Sequence, residues 1–224
     1  MKYSLILTLL WTLATVAFGQ QSFSTNVTVN TVIPDNNPNG LTGGITIAGL
    51  GGTISDVTVG VDITGGFNGD LYMYLVGPTG DFVVLLNRTG EGVSNAYGYS
   101  DEGFNVTFDD SATNGSIHYY QTTLNPGGGQ LTGTWQPDGE NISPLSLSSA
   151  FPASQTAMLS GLTGTDPNGQ WVFFIADLSP GGQSTLQNIS LNIMTVPEPS
   201  PMAFWMLAGF MGLWWRFGAA RNIK

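Results

Sequence analysis

The sequence predicts an all-β protein built as an antiparallel β-sandwich or jelly roll, and three observations predict it. Apolar and polar residues alternate with a period of two in several separate segments, and no segment carries the periodicity of an amphipathic helix. Glycine occurs 31 times in 224 residues, about twice its usual share, and Gly, Pro and Asn punctuate the alternating runs as turn residues do. Without an apolar head and an apolar tail the chain is about the length of one domain, enough for a core that needs no disulfides.

The elements follow in order. Gln20 to Asn30 reads as a leading edge strand. Val57, Val59, Val61 and Ile63 alternate with Thr58, Gly60 and Asp62, the signature of a strand with one buried face. Leu71, Met73 and Leu75 alternate with Tyr72 and Tyr74; Gly77-Pro78-Thr79-Gly80 supplies a tight turn, and Phe82 to Leu86 returns as a hairpin. Phe104 to Phe108 is a further half-buried strand. Trp171 to Ala176 is apolar throughout, as a central strand is, and Ile189, Leu191 and Ile193 alternate again. Residues 87–102 and 111–168 are poorer in pattern and richer in Gly, Ser and Pro, so they read as long loops, the usual seat of binding. The expected organisation is a signal peptide (1–19), an N-terminal leading segment (20–44), the sandwich (45–195) and a C-terminal signal (196–224).

Charge excludes several functions. All fifteen acids lie between Asp35 and Glu198, where Arg88 is the one base, a net of −14 for that stretch. Nucleic acid is therefore excluded as a partner, since phosphate binding needs clustered Lys and Arg. No lysine is available there for a P-loop or a Schiff base. The absence of cysteine rules out thiol catalysis and cysteine zinc sites. Divalent cations and neutral glycans suit such a surface better.

The two ends read as export and anchoring signals. Lys2 precedes an apolar run from Leu5 to Phe18, and Ala17-Phe18-Gly19 offers the small residues a signal peptidase reads, with cleavage near Gln20. At the other end the Pro-rich segment Val196 to Pro201 precedes an apolar run from Met202 to Trp215, and Arg216, Arg221 and Lys224 follow. The basic tip is expected to stay cytoplasmic, so the tail would cross the membrane once. Pro197-Glu198-Pro199, the apolar helix and the basic tip carrying Arg216 and Arg221 together resemble the PEP-CTERM sorting signal of Gram-negative bacteria. The resemblance implies processing by an exosortase-type membrane enzyme. The protein would be membrane-anchored at first, then released to the cell surface, the outer envelope or an extracellular polysaccharide matrix. A permanent single-span anchor is the alternative.

Several pieces of the middle also resemble, in order, the P domain (Homo B domain) that follows the protease domain in kexin- and furin-like proprotein convertases. They are Ile54-Ser55-Asp56-Val57, Gly69-Asp70-Leu71, Leu75 to Gly80, Phe108-Asp109-Asp110, Gly133 to Pro137, Asn168 to Trp171, Ala176-Asp177 and Leu186 to Leu191. Thr64-Gly65-Gly66-Phe67 departs from the family, which commonly has a His-Thr pair there. The resemblance implies a galactose-binding-like jelly roll that supports or targets other modules and has no chemistry of its own. Any serine endopeptidase label would be inherited from the protease domain of that family.

The candidate sites are few. His118 is the one histidine, and no Gly-x-Ser-x-Gly elbow accompanies it, so a Ser-His-Asp triad is not expected. The pairs Asp101-Glu102 and Asp109-Asp110 do not suit glycoside hydrolysis, because neighbouring side chains on a strand point to opposite faces. No catalytic residue is therefore assigned. Calcium is the better use for acids, and two groups are candidates. One is Asp70, Asp109, Asp110 and Asp177 at predicted strand ends; the other is Asp35, Asn37 and Asn39, which match the start of a calcium loop whose twelfth position, Thr46, breaks the match. Capping of loop amides stands beside calcium as a reading of these acids. Tyr97, Tyr99, Tyr119, Tyr120 and Trp135 fall in loop-rich parts, where exposed rings would stack on sugars and buried ones would only pack. The function expected is that of an exported, non-enzymatic surface or matrix protein with structural, adhesive or binding roles. The alternatives are a glycan-binding module and an accessory domain of a separate subtilisin-like protease.

Overall fold

The computed structural model describes residues 19–197. The expected signal peptide, Glu198, Pro199, Arg216, Arg221 and the apolar tail lie outside the described residues. Among the described residues no helix is long and apolar enough to cross a membrane.

Nine strands form two sheets. They are β1 (Gln21–Val32), β2 (Asn37–Ile47), β3 (Thr53–Thr64), β4 (Leu71–Val76), β5 (Phe82–Asn87), β6 (Gly103–Phe108), β7 (Leu131–Trp135), β8 (Gly169–Asp177) and β9 (Thr185–Val196). One sheet has the order β1-β9-β3-β6-β7 and the other β2-β8-β4-β5. The alternation read from the sequence sets which face is inside: Val57, Val59, Val61, Ile63, Leu71, Met73, Leu75, Ile189, Leu191 and Ile193 are all buried between the sheets. Trp135 and Trp171, both fully buried, fill the largest volumes. Helical structure among the described residues is confined to short 3-10 turns.

Three features differ from the sequence expectation. The leading segment 20–44 contains all of β1 and most of β2, so the sandwich begins at its N-terminal edge: β1 pairs with β9, and β2 with β8. Val27 and Val32 of β1 are exposed, and Asn30 (φ 47°) makes a bulge that interrupts the β1–β9 register, as suits an edge strand. The sandwich is also not wholly antiparallel. After β6 the chain crosses over through residues 109–130 and re-enters beside Phe104 at Leu131, so β7 runs parallel to β6.

The two outer faces are chemically opposite. On the five-stranded sheet Asn26, Ser190, Gly60 and Thr107 lie in one transverse register, with Asn188, Asp62 and Asn105 in the next. On the four-stranded sheet Tyr74 stacks on Phe174 with ring centroids 4.8 Å apart and lies 4.9 Å from Phe82, and Tyr72 is 5.8 Å from Tyr74. At the end of the sandwich where Thr64 faces Gly103 and Thr185, the loops that follow β3, precede β6 and follow β8 converge.

Candidate functional site

The loop after β3 runs through Gly65 and Gly66, both at positive φ, into a 3-10 turn at Asn68–Asp70. Asn68 is fully buried and fixes this turn to the start of β6: its Nδ2 donates to the Gly103 carbonyl and the Tyr120 hydroxyl, both at 3.1 Å, and its Oδ1 accepts from the Gly103 N–H at 2.8 Å. Every polar group of the amide is therefore engaged, which is how a buried Asn holds a loop in one conformation.

The 95–101 loop lies directly on this turn. Asn68 N–H donates to the Asp101 carbonyl at 3.0 Å, Gly69 N–H to that of Tyr99 at 2.8 Å, and Tyr99 N–H to that of Thr89 at 2.9 Å. The two backbones touch at Gly69 and Gly98. A Cβ on Gly98 (φ +68°) would sit 2.6 Å from the Cα of Gly69, and a Cβ on Gly69 would run into the Tyr97 carbonyl. Only glycine permits this approach.

The result is a pocket of about 320 Å³ lined by Phe67, Asp70, Tyr97, Gly98, Tyr99, Ser100, Ser179 and Pro180. Tyr97 is 80% exposed and Phe67 39%. Tyr99 packs edge-to-face on buried Tyr120 at 4.7 Å. Ring faces beside carboxyl and hydroxyl groups make a surface that takes the apolar face and the hydroxyls of a sugar.

Beside the pocket three acids from three segments approach one another. Asp177, at the end of β8, is Cα-paired with both Leu71 and Asn37. Its Oδ1 accepts from Ser179 N–H at 3.3 Å, and its Oδ2 is fully buried with no hydrogen-bond partner. Burial first, and then repulsion from Asp70 and Asp35, push its pKa up to about 7 against the pull of the Ser179 and Asn36 amides. Asp70 is also raised, by burial, although Ser179 and Arg88 oppose the rise. Asp35 accepts from Gly181 N–H at 3.1 Å. Arg88, the single Lys or Arg among the described residues, is divided between the Glu91 carboxylate (3.0 Å), the Gly69 carbonyl (3.2 Å) and the Ser179 hydroxyl (2.9 Å).

The sequence candidates are thus regrouped. Asp70 and Asp177 come together, as expected, but Asp109 and Asp110 are elsewhere and cap loops. Asp109 accepts from the N–H and hydroxyl of Ser111, both at 2.7 Å, and Asp110 accepts from the amides of Leu159 and Ser160 at the start of a 3-10 turn. The expected calcium loop does not close on itself, because Asn37, Asn39 and Thr46 belong to β2. Asn37 Oδ1 accepts from Asn39 N–H, and Asp35 alone reaches the other acids. Of the aromatic candidates, Tyr97 and Tyr99 line the pocket, Tyr119 packs against His118 at 4.9 Å, and Tyr120 and Trp135 are fully buried core residues. Phe67 and Ser179 were not singled out by the sequence reading, because nothing in local spacing shows that loops over 110 residues apart share a wall.

His118 is a second center of interest. Its Nδ1 donates to Asp138 Oδ2 at 2.8 Å and its Nε2 to the Glu91 carbonyl at 3.0 Å, with both side chains of the pair fully buried. Burial would lower the pKa of the imidazole, but the Asp138 hydrogen bond and charge, with help from the Glu91 carbonyl and Glu140, raise it to about 9. Burial raises Asp138, and His118 and the Asn87 and Glu140 amides oppose that. His118, Asp138 and Glu140 are the acid-and-histidine group whose ligand atoms lie within 4.8 Å of one another among the described residues. Both ring nitrogens are committed and Glu140 Oε2 accepts from Ala153 N–H at 2.8 Å, so the group works as a clasp joining the loops around residues 90, 118, 138 and 153. No nitrogen remains to serve a nucleophile as base.

Comparison with known proteins places these elements. No curated relative matches the sequence. Among solved structures, the serine protease of Aeromonas sobria in complex with the chaperone ORF2 has a TM-score of 0.46 at 14% identity over 80% of this chain. The same protease alone gives 0.44 at 13% identity, also over 80%. This chain spans 28% and 27% of those protease chains, respectively. The family model for the proprotein convertase P-domain matches residues 54–136, from the start of β3 to just beyond β7. The match takes in Asn68, Asp70, Tyr97 and Tyr99 and stops before Asp177, and over that stretch the chain is similar to a proprotein convertase P-domain.

Proposed function

We propose that this protein is an exported, non-catalytic β-sandwich that binds a neutral glycan in the pocket formed by Phe67, Tyr97 and Tyr99. The observation that carries the reading is the placement of these rings. Tyr120 and Trp135 are buried, whereas Tyr97 stands 80% exposed on the rim of a 320 Å³ pocket that also holds Asp70 and Ser179. A polar ligand without negative charge suits a domain with one base and many acids. The residues 196–224 serve as a sorting signal, handled by an exosortase-type enzyme after a signal peptidase has removed the head, and deliver the sandwich to the cell surface or the extracellular polysaccharide.

Two measurements test this. A panel of cello-, manno- and galacto-oligosaccharides is titrated against the full chain and against Tyr97→Ala. Binding by the first that falls at least about tenfold in the second supports the pocket, since stacking on one ring contributes about 1–1.5 kcal/mol. Equal binding by both overturns it. Cell fractionation with intact-mass analysis tests the sorting: loss of both ends with recovery outside the cell is expected, and retention of residues 202–224 in the inner membrane overturns it.

A second reading, an accessory domain of a separate subtilisin-like protease, is favoured by the P-domain match at residues 54–136 and by the aromatic outer face of Tyr72, Tyr74, Phe82 and Phe174. Copurification of a secreted protease, lost in Tyr74→Asp, would replace the glycan reading with this one.

A further inference from the structure

We infer that Asp35, Asp70 and Asp177 form a calcium site that clasps the wall of the glycan pocket, so that sugar binding depends on calcium. This rests on the pocket assignment above.

Two independent stretches of sequence supply the acids, and the fold brings them together. Asp35 precedes β2, Asp70 ends the 3-10 turn before β4, and Asp177 ends β8. The Cα pairing of Asp177 with both Asn37 and Leu71 places the three segments side by side. All three acids are tied to one short loop after β8. Asp177 accepts from the Ser179 amide at 3.3 Å, Asp35 accepts from the Gly181 amide at 3.1 Å, and Asp70 shares a side-chain hydrogen bond with Ser179. Ser179 and Pro180 of that loop line the pocket, as does Asp70. A cation held here would therefore lock the loop against the turn that carries Phe67.

The feature that points to a cation is Asp177 Oδ2. It is a carboxylate oxygen with no exposure and no donor, a costly arrangement for a group that otherwise finds hydrogen bonds or a metal. The local charge agrees. Four carboxylates, those of Asp35, Asp70, Asp177 and Glu91, face Arg88, whose donors are already divided among Glu91, Gly69 and Ser179. Calcium takes six to eight oxygens in a flexible arrangement, and magnesium demands a tight octahedron. The oxygens of the three acids spread wider than 4.8 Å, and Asp35 is exposed, so a rotation of its carboxylate can close the set. Such adjustment favours the larger ion.

The test is a thermal melt of the full chain in millimolar calcium chloride and in EGTA, run with Asp177→Asn and Asp35→Asn. An ion that binds the folded state alone raises its stability, and at saturation a rise of about 5 °C is expected. Both variants should lose it, and Asp35→Asn, at an exposed position, guards against misfolding of Asp177→Asn. Oligosaccharide affinity should fall at least tenfold in EGTA, while Tyr97→Ala should lose the sugar and keep the calcium rise. No rise in the wild type, or an equal rise in both Asp variants, overturns the calcium site. A calcium rise without any sugar binding keeps the ion site and overturns its role in glycan capture. Sugar binding indifferent to EGTA overturns that role while leaving the pocket intact.

Discussion

The buried pair of His118 and Asp138 makes a stability prediction that is open to direct measurement. The imidazole is raised from its usual 6.5 to about 9. A group whose pKa is higher in the folded chain than in the unfolded one contributes stability that is fully present below the unfolded value. That contribution is lost as the pH rises through the folded value. The window is therefore pH 6.5 to about 9. At 1.36 kcal/mol per pKa unit the shift corresponds to about 3 kcal/mol. Asp138, Glu140 and the Glu91 carbonyl face the ring and hold its proton, while Tyr119 packs on it from outside.

The variant is His118→Gln, which keeps a donor for one of the two acceptors and cannot be protonated. Urea unfolding followed by the fluorescence of the buried Trp135 and Trp171 gives stability at each pH. The wild type should lose about 3 kcal/mol between pH 6.5 and 9.5, and the variant should show no loss over that range. At pH 6.5 the variant should be less stable than the wild type by about 3–5 kcal/mol, the cost of leaving a buried carboxylate without its partner. A wild-type stability flat across that window would refute the reasoning, because the ring would then be neutral and the two acceptors would not share two protons. A slope that persists in His118→Gln would assign the titration to another group.

Gly98→Ala should abolish oligosaccharide binding and lower the melting temperature, because the new methyl meets the Gly69 backbone and pushes Tyr97 off the rim; binding titration and a melt check both. Asn68→Ala should cost about 2–4 kcal/mol in urea unfolding, since the buried Gly103 N–H and C=O lose their partners together. Tyr120→Phe should cost about 1–3 kcal/mol in urea unfolding by removing the hydroxyl that joins Asn68 to Asp101, and should leave oligosaccharide affinity within twofold, since the ring is buried away from solvent.

How far the sequence reaches depends on whether a feature is local. The period-two runs mark β3, β4, β5, β6, β8 and β9 because alternation is a property of a single strand with one dry face. β2 escapes, since Asn37-Pro38-Asn39-Gly40 followed by Gly43-Gly44 reads as a turn, and its strand geometry comes from the ladder with β8. β7 escapes for the same reason, being five residues with Gly133 inside and paired in parallel with β6. At the site, the acids are visible as candidates because a chain with one central base must place each of them deliberately. Which ones meet is set by the pairing of Asp177 with Asn37 and Leu71, a long-range fact with no local trace. The aromatic candidates divide on the same principle: Tyr97 and Tyr120 look alike in sequence, and only the contact of Gly69 with Gly98 puts one on a rim and the other in the core.

The positions of the chain ends carry a mechanical consequence. Gln21 faces Thr195 and Thr53 faces Val196 at one pole, whereas the pocket loops leave from Thr64 and Thr185 at the other. β9 spans the distance between them with 12 residues, about 36 Å at 3.3 Å per residue. A sandwich held by whatever follows Pro197 would therefore aim its pocket directly away from its tether and out into the medium. Tension applied through the tether would enter along β9, which is hydrogen-bonded to β1 on one side and to β3 on the other. Both ladders would be loaded in shear across their whole length, the geometry in which a β-sheet resists pulling best, and the strand that bears the load would be the one buried deepest in its sheet.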